Sequence, residues 1–299
     1  MRGSILRVAM GLVLALGSLF ALPLMPSTLA AQIACDPAAP AAASGPLHAT
    51  PAAIAETPFP EDGGTLTVFA AASLTDAFNE FATGLETTSP NLDIVIQTAG
   101  SQTLVTQLVE GATADVLATA NTSTMDTATE SGVVTGDPVT FTGNRLVLVT
   151  PQDNPAGIES INDLASDDIL LVIANEWVPA GNYARVAFCA WGASGSAPEG
   201  FVDMVAANIA SEEEDVRNVL AKVQLGEADA GVVYASDATA SALAGSPLNV
   251  IEFPDAVPAS ASYPIAAIEG GQTELANAFI AAILSPEGQA ILASYGFER

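Results

Sequence analysis

Ser73 ends an apolar run, Leu66-Thr-Val-Phe-Ala-Ala-Ala-Ser73, and directly precedes a helical stripe of Leu74, Ala77, Phe78, Phe81, Ala82 and Leu85. A serine at a strand-to-helix junction offers a hydroxyl and a free backbone N–H at the positive end of a helix, which is the geometry for holding an anion. The pattern recurs. Ser101 follows Gly100, a residue that lets backbone approach a ligand closely. Ala180 lies between Pro179 and Gly181 just before a helix, and Val216 follows Glu214-Asp215 at another helix start. Tyr234 ends the run Ala230-Gly-Val-Val-Tyr234, placing a phenol at the carboxyl edge of a sheet, where open α/β sheets bind ligands. Each position also has an ordinary explanation: Ser73, Ser101 and Asp215 as helix caps, 179–181 as a loop, Tyr234 as a core aromatic.

The elements that must position these residues alternate strand and helix from Gly64 onward, as in an α/β fold with a mostly parallel sheet. Strands are expected at 92–97, 114–119, 144–150, 169–174, 230–234, 249–253 and 263–268. Helices follow Ser101, Thr122 as a cap, and Gly181; a helical pair is expected at 201–209 and 216–225, and two more close the chain at 274–284 and 286–294. No repeat of solenoid length is present.

Residues 1–34 carry Arg2 and Arg7 and a long apolar run from Val8 to Leu24, then small residues. This reads as an export signal, with an uncleaved membrane anchor as the alternative. Residues 35–64 are rich in Ala, Pro, Ser and Gly and read as a flexible spacer, in which the single histidine, His48, is solvated. The two cysteines, Cys35 and Cys189, are too few for a disulfide framework or a thiolate metal site. Cys35 stands where a lipoprotein's acylated cysteine would stand, and a Cys35–Cys189 bridge is the rival reading in an oxidising exterior. All 34 acidic residues follow Cys35 but only five of the seven basic ones do, so the part from Cys35 onward carries a net charge of −29. Nucleic acid is excluded as a partner by that balance, because phosphate backbones are bound through clustered Lys and Arg.

From about residue 65 to the end, the chain resembles the periplasmic molybdate-binding proteins of ABC-type importers. The segments that carry the resemblance are 68–77, Gly111-Ala-Thr-Ala-Asp-Val116, Val178-Pro-Ala-Gly-Asn-Tyr-Ala184, Glu214-Asp-Val-Arg217, 231–237 and Tyr295-Gly-Phe297. The resemblance implies a two-lobed periplasmic-binding-protein fold, type II-like, each lobe a mixed sheet flanked by helices, with the ligand in the cleft. It implies that Ser73 and Ser101 donate to a tetrahedral oxyanion through hydroxyl and N–H, Ala180 and Val216 through backbone N–H, and Tyr234 through its phenol. Molybdate or tungstate would be the ligand, with no cofactor and no metal held directly by side chains. Lobe 1 is then expected to hold 65–142 and 262–299 and lobe 2 to hold 143–261, with crossings near 142–144 and 261–263. Gly100 and Gln102 depart from the family's serine-richer pattern, Trp177 from a polar residue and Asn175 from an Asp.

An all-donor site sorts anions. Molybdate, tungstate and sulfate carry no proton near neutral pH, whereas phosphate brings a hydroxyl that would cost about 1–3 kcal/mol if left unpaired. The expected protein is an exported monomer, periplasmic or anchored to the outer face of the membrane through a lipid on Cys35. It would deliver its anion to a membrane permease. The rival readings are a receptor for another oxyanion such as sulfate, an exported serine hydrolase using Ser73 or Ser101, and a structural lipoprotein. The hydrolase lacks a Gly-x-Ser-x-Gly elbow and has its one histidine in the spacer. Asp76 and Asp115 are read as caps or surface groups.

Overall fold

The computed structural model describes residues 32–35 and 58–298; the expected signal and most of the spacer, including His48, lie outside them. The first strand, β1 (Gly64–Ala71), is buried along its second half and turns through a short 3-10 segment, Ala72–Leu74, into α1 (Thr75–Thr88). The α1 stripe of Ala77, Phe78, Phe81 and Ala82 faces the core, where the Phe78 ring meets Phe141 at 5.8 Å and Phe279 at 5.7 Å. Next come β2 (Leu92–Ala99), α2 (Ser101–Val109), β3 (Val116–Ala118) and α3 (Thr122–Glu130). The α3 cap is Asn121, whose side chain accepts from the Thr124 N–H at 3.0 Å, one residue before the expected Thr122.

The seam of the molecule is β4 (Val134–Thr150), seventeen residues long. Its first part pairs antiparallel with β9 (Ser260–Ile268), and its last residues pair with β7 (Ala230–Tyr234) and β8 (Asn249–Glu252). Beyond β7 the sheet continues through β5 (Leu171–Ala174) to β6 (Ile209–Glu213), giving the order β2-β1-β3-β9-β4-β7-β5-β6. Pairing is parallel within β2-β1-β3 and β7-β5-β6 and antiparallel at β3-β9, β4-β9, β4-β7 and β4-β8, so the sheet is mixed, as the resemblance implied, and less parallel than the strand–helix alternation alone suggested. The two expected crossing segments lie side by side: Thr142 pairs with Tyr263, Gly143 with Ser262 and Asn144 with Ala261.

Helices cover the sheet: α4 (Pro179–Ala193), α5 (Phe201–Asn208), α6 (Val216–Gln224), α7 (Ala235–Leu243), α8 (Thr273–Leu284) and α9 (Pro286–Ser294). Three elements escape the sequence patterns. The first part of β4 contains Gly136, at φ 71°, and Pro138, and its register shifts between Thr135 and Val139, so a bulge breaks the alternation there. β6 is an edge strand with acidic Glu212 and Glu213 and no apolar run. α7 is mostly Ala, Ser and Thr, with Asp237 in its first turn and Leu243 at its end, and follows Tyr234 without a loop.

Cys35 is joined to Cys189 of α4, with the Cα atoms 5.5 Å apart, and neighbouring Ile33 packs against the main core. A sulfur engaged in that bond cannot carry the thioether of a lipid, so of the two readings of Cys35 the structure has the bridge and not the lipid anchor. Denatured, unreduced protein should therefore show no titratable thiol, and reduction should lower stability by about 2–4 kcal/mol in chemical unfolding. A free thiol at either position, or a lipid on Cys35, would contradict this pairing.

Candidate functional site

Ser73, Ser101, Ala180, Val216 and Tyr234 line one small cavity where the two parts of the sheet meet. It is open to the centre of a water-sized sphere over only about 10 Å³, far below the several hundred Å³ of organic-ligand pockets. Among the described residues no Lys or Arg lines it, and its one acid, Asp215, turns both oxygens onto Asn218 at 2.9 and 3.1 Å as the cap of α6. A larger groove of about 670 Å³ lies beside Trp177, α4 and the bridged cysteines, and it contains none of the five.

Each donor is held by its element. Ser73 sits in the turn after β1, with its Oγ 2.8 Å from the Tyr263 phenol of β9, which in turn accepts from Asn144 Nδ2 at 3.4 Å. A phenol that accepts from Asn144 can donate to Ser73, and this leaves the serine's own proton free for the cavity. Burial pushes the Tyr263 phenol well above its ordinary pKa, so it stays a neutral donor. The ring is fixed by edge contacts with Tyr234 at 5.8 Å and Phe297 at 5.6 Å. Ser101 is the first residue of α2; its Oγ accepts the Ala120 N–H at 3.0 Å, so its hydroxyl hydrogen can also point into the cavity.

On the other wall, Ala180 is the second residue of α4 and Val216 the first of α6, positions whose N–H groups precede the helical ladder. Gly181 lets α4 come this close: a Cβ there would lie 2.0 Å from the Asn175 carbonyl oxygen and 2.2 Å from that of Ala174. Asn175 Oδ1 accepts the Trp177 N–H at 3.0 Å, supplying the acceptor that an Asp would supply there, while the Trp177 ring is 74% exposed. Tyr234 is 1% exposed, and among the described residues its hydroxyl has no hydrogen-bond partner. Burial holds that phenol neutral as well. Buried donors without acceptors are costly, so this one marks where an acceptor belongs.

Sequence reasoning did not anticipate the supporting residues. Tyr263 and Asn144 looked like ordinary strand residues, and Asp76 looked like a surface cap. Instead, Asp76 Oδ2 of α1 lies 2.8 Å from Arg217 Nη1 of α6, and buried Asp237 Oδ1 of α7 lies 3.6 Å from the same nitrogen. The other Asp237 oxygen accepts the Tyr234 N–H at 3.1 Å and so fixes the strand end that aims the phenol. All three residues lie in segments that carry the resemblance, 68–77, Glu214-Asp-Val-Arg217 and 231–237, but nothing in those segments showed that they meet. Among the described residues no group of three His, Cys, Asp or Glu side chains is placed to hold a metal ion.

Burial pushes the Asp237 carboxyl up to about 6, with Arg217 opposing the rise. Its folded pKa therefore lies above the unfolded value of about 3.9, and the stability it contributes is present below about pH 4 and lost as pH rises through about 6. Asp237→Asn removes that loss while keeping an oxygen for the Tyr234 N–H. Relative to wild type, the variant should gain about 3 kcal/mol of unfolding free energy between about pH 4 and 7, measured by urea unfolding. A difference that does not change with pH would contradict a proton-binding carboxyl at this place.

Residues 66–298 match the family described as bacterial extracellular solute-binding protein. The chain is 36% identical over 236 residues to the molybdate-binding protein ModA of Mycobacterium tuberculosis, covering 79% of this chain and 85% of that one. It is 35% identical over 243 residues to the molybdate-binding protein ModA of Escherichia coli, covering 79% and 90%. Among solved structures, the Azotobacter vinelandii periplasmic molybdate-binding protein superposes with a TM-score of 0.67 at 20% identity, covering 78% of this chain and 99% of that one, a likeness of fold. With its mixed α/β architecture and family-wide match, the chain belongs to the bacterial extracellular solute-binding proteins.

Proposed function

We propose that this protein captures molybdate, and tungstate with it, outside the cytoplasm and delivers the anion to the membrane permease of an ABC importer. The observation that carries this reading is the convergence of five neutral donors on one small cavity that no cationic side chain lines among the described residues. A tetrahedral dianion supplies only acceptors, which is what the Ser73 and Ser101 hydroxyls, the two helix-start N–H groups and the unpartnered Tyr234 hydroxyl require. Fixed dipoles in a closed site act at contact distance, whereas surface carboxylates act through water and salt over a Debye length of about 8 Å. The net charge of −27 therefore does not forbid an anionic ligand.

The relatives support the choice of molybdate, since two at 36% and 35% identity carry that ligand in their names. The two lobes we assign are 65–142 with 262–299 and 143–261, hinged where 142–144 pairs with 261–263. Ser73 and Ser101 then belong to one lobe, and Ala180, Val216 and Tyr234 to the other, so the anion joins them. The protein acts as an exported monomer and is not an enzyme. The partners of the two serines speak against hydrolysis: Ser73 meets a neutral phenol and Ser101 a backbone N–H, and neither partner can serve as a general base.

Isothermal calorimetry with molybdate, tungstate, sulfate and phosphate tests the reading. Molybdate and tungstate should bind one per chain, sulfate more weakly, and phosphate least. Ser73→Ala and Tyr234→Phe should each weaken molybdate binding by about 1–3 kcal/mol, one lost hydrogen bond to a charged group. Wild-type protein that binds phosphate or sulfate in preference to molybdate, or no oxyanion at all, would overturn the proposal.

A further inference from the structure

Arg217 immediately follows the donor Val216, and Asp76 lies three residues beyond the donor Ser73. Their side chains meet across the cleft, with Nη1 and Oδ2 2.8 Å apart. The facing atoms, Arg217 Nη1, Asp76 Oδ2 and Asp237 Oδ1, are all shut off from solvent, although the Arg217 and Asp76 side chains are 30% and 39% exposed overall. None of the three makes an aligned hydrogen bond, so the contact is a charge contact, and it is shielded from water where the charges face each other.

The three charges are not equivalent. Asp237 belongs to the same part of the fold as Arg217 and stays beside it whatever the cleft does. Asp76 comes from the opposite wall and reaches Arg217 only when the walls meet. The same seam is closed on its other side by Gly100, where a Cβ would lie 2.7 Å from the Glu214 carbonyl oxygen, and by Gln102, whose Nε2 donates to that oxygen at 3.4 Å.

We infer that Arg217 is a closing latch: held ready by Asp237, it engages Asp76 when the lobes close and so slows escape of the bound oxyanion. Arg217 is a positioning residue, because it does not line the cavity. Its second effect is to cancel the Asp76 carboxylate, which would otherwise repel a dianion seated near the Ser73 turn. The latch rests on the oxyanion-binding reading and adds to it a pair of side chains that never touch the ligand.

Stopped-flow dissociation of molybdate from the full chain tests it, using wild type, Asp76→Asn, Asp76→Glu and Arg217→Gln. Asp76→Asn and Arg217→Gln should raise the dissociation rate constant on the order of 10- to 100-fold, with the association rate constant changed less than about threefold, as for loss of a desolvated charge partner. Asp76→Glu should recover part of the slow release. Gly100→Ala, which obstructs the same closure without altering charge, should also speed release. A residue that only stabilised the fold would lower the melting temperature and leave dissociation unchanged. Unchanged dissociation in Asp76→Asn, with wild type binding molybdate normally, overturns the latch alone. Wild type that fails to bind molybdate overturns the oxyanion reading and the latch with it.

Discussion

A small cavity lined by two serine hydroxyls, two helix starts and a buried Tyr234 hydroxyl that has no partner among the described residues is the constraint around which the rest of the chain is arranged. A buried hydroxyl without a partner costs about 1–3 kcal/mol and survives only where something else is gained. Tyr234 carries that cost most plainly, its ring sealed by Tyr263 and its backbone N–H tied to Asp237 while its oxygen stays unpaired. The serines reach a similar state by another route. Each has one hydrogen bond that fixes its oxygen: Ser101 accepts the Ala120 N–H, and Ser73 shares a bond with the Tyr263 phenol, which can donate it and leave the serine's own proton free. Two helix starts complete the set with N–H groups that no helix can satisfy internally.

The fold serves this by bringing distant stretches of chain to one seam. β4 runs through the middle of the sheet, pairing with β9 along its first part and with β7 and β8 at its end. Tyr263 on β9 and Asn144 on β4 therefore meet Ser73 from β1's turn and Ser236 at the start of α7, since Asn144 Nδ2 also donates to the Ser236 Oγ at 2.8 Å. One polar chain thus runs from the donor turn on one wall to the Tyr234 junction on the other. Hydrogen-bonded networks of this kind fix side-chain orientation in surroundings where a misplaced polar group is expensive. The walls meet where glycine allows it, at Gly100 against Glu214, and within one wall Gly181 lets α4 sit against the end of β5.

Much of this was legible in the sequence because helix starts and strand ends leave local signatures. Serine after an apolar run, Pro179-Ala-Gly181, and Asp215 as a cap each write a helix N-terminus into a few residues, and the resemblance supplied the reason to read them together. What could not be read was long-range. Neither Tyr263 behind Ser73 nor Asp76 opposite Arg217 follows from spacing, because their partners lie on elements far apart in the chain. The first part of β4 was hidden by Gly136 and Pro138, whose local preferences oppose a strand that tertiary pairing nevertheless imposes. β6 was hidden by its acids, which an edge strand tolerates. For Cys35 the local context fitted either a lipid or a bridge, and only the position of Cys189 on α4 distinguishes them.

The most direct measurement of the central claim is crystallography of the protein soaked or grown with molybdate, using anomalous scattering at the molybdenum edge. The account predicts one strong peak in the cavity. Around it, the oxygens should lie about 2.6–3.2 Å from the Ser73 and Ser101 hydroxyls, the Ala180 and Val216 N–H groups and the Tyr234 hydroxyl. A peak elsewhere, such as in the groove beside Trp177, or an anion seated in the cavity with Tyr234 still unpaired, would contradict it.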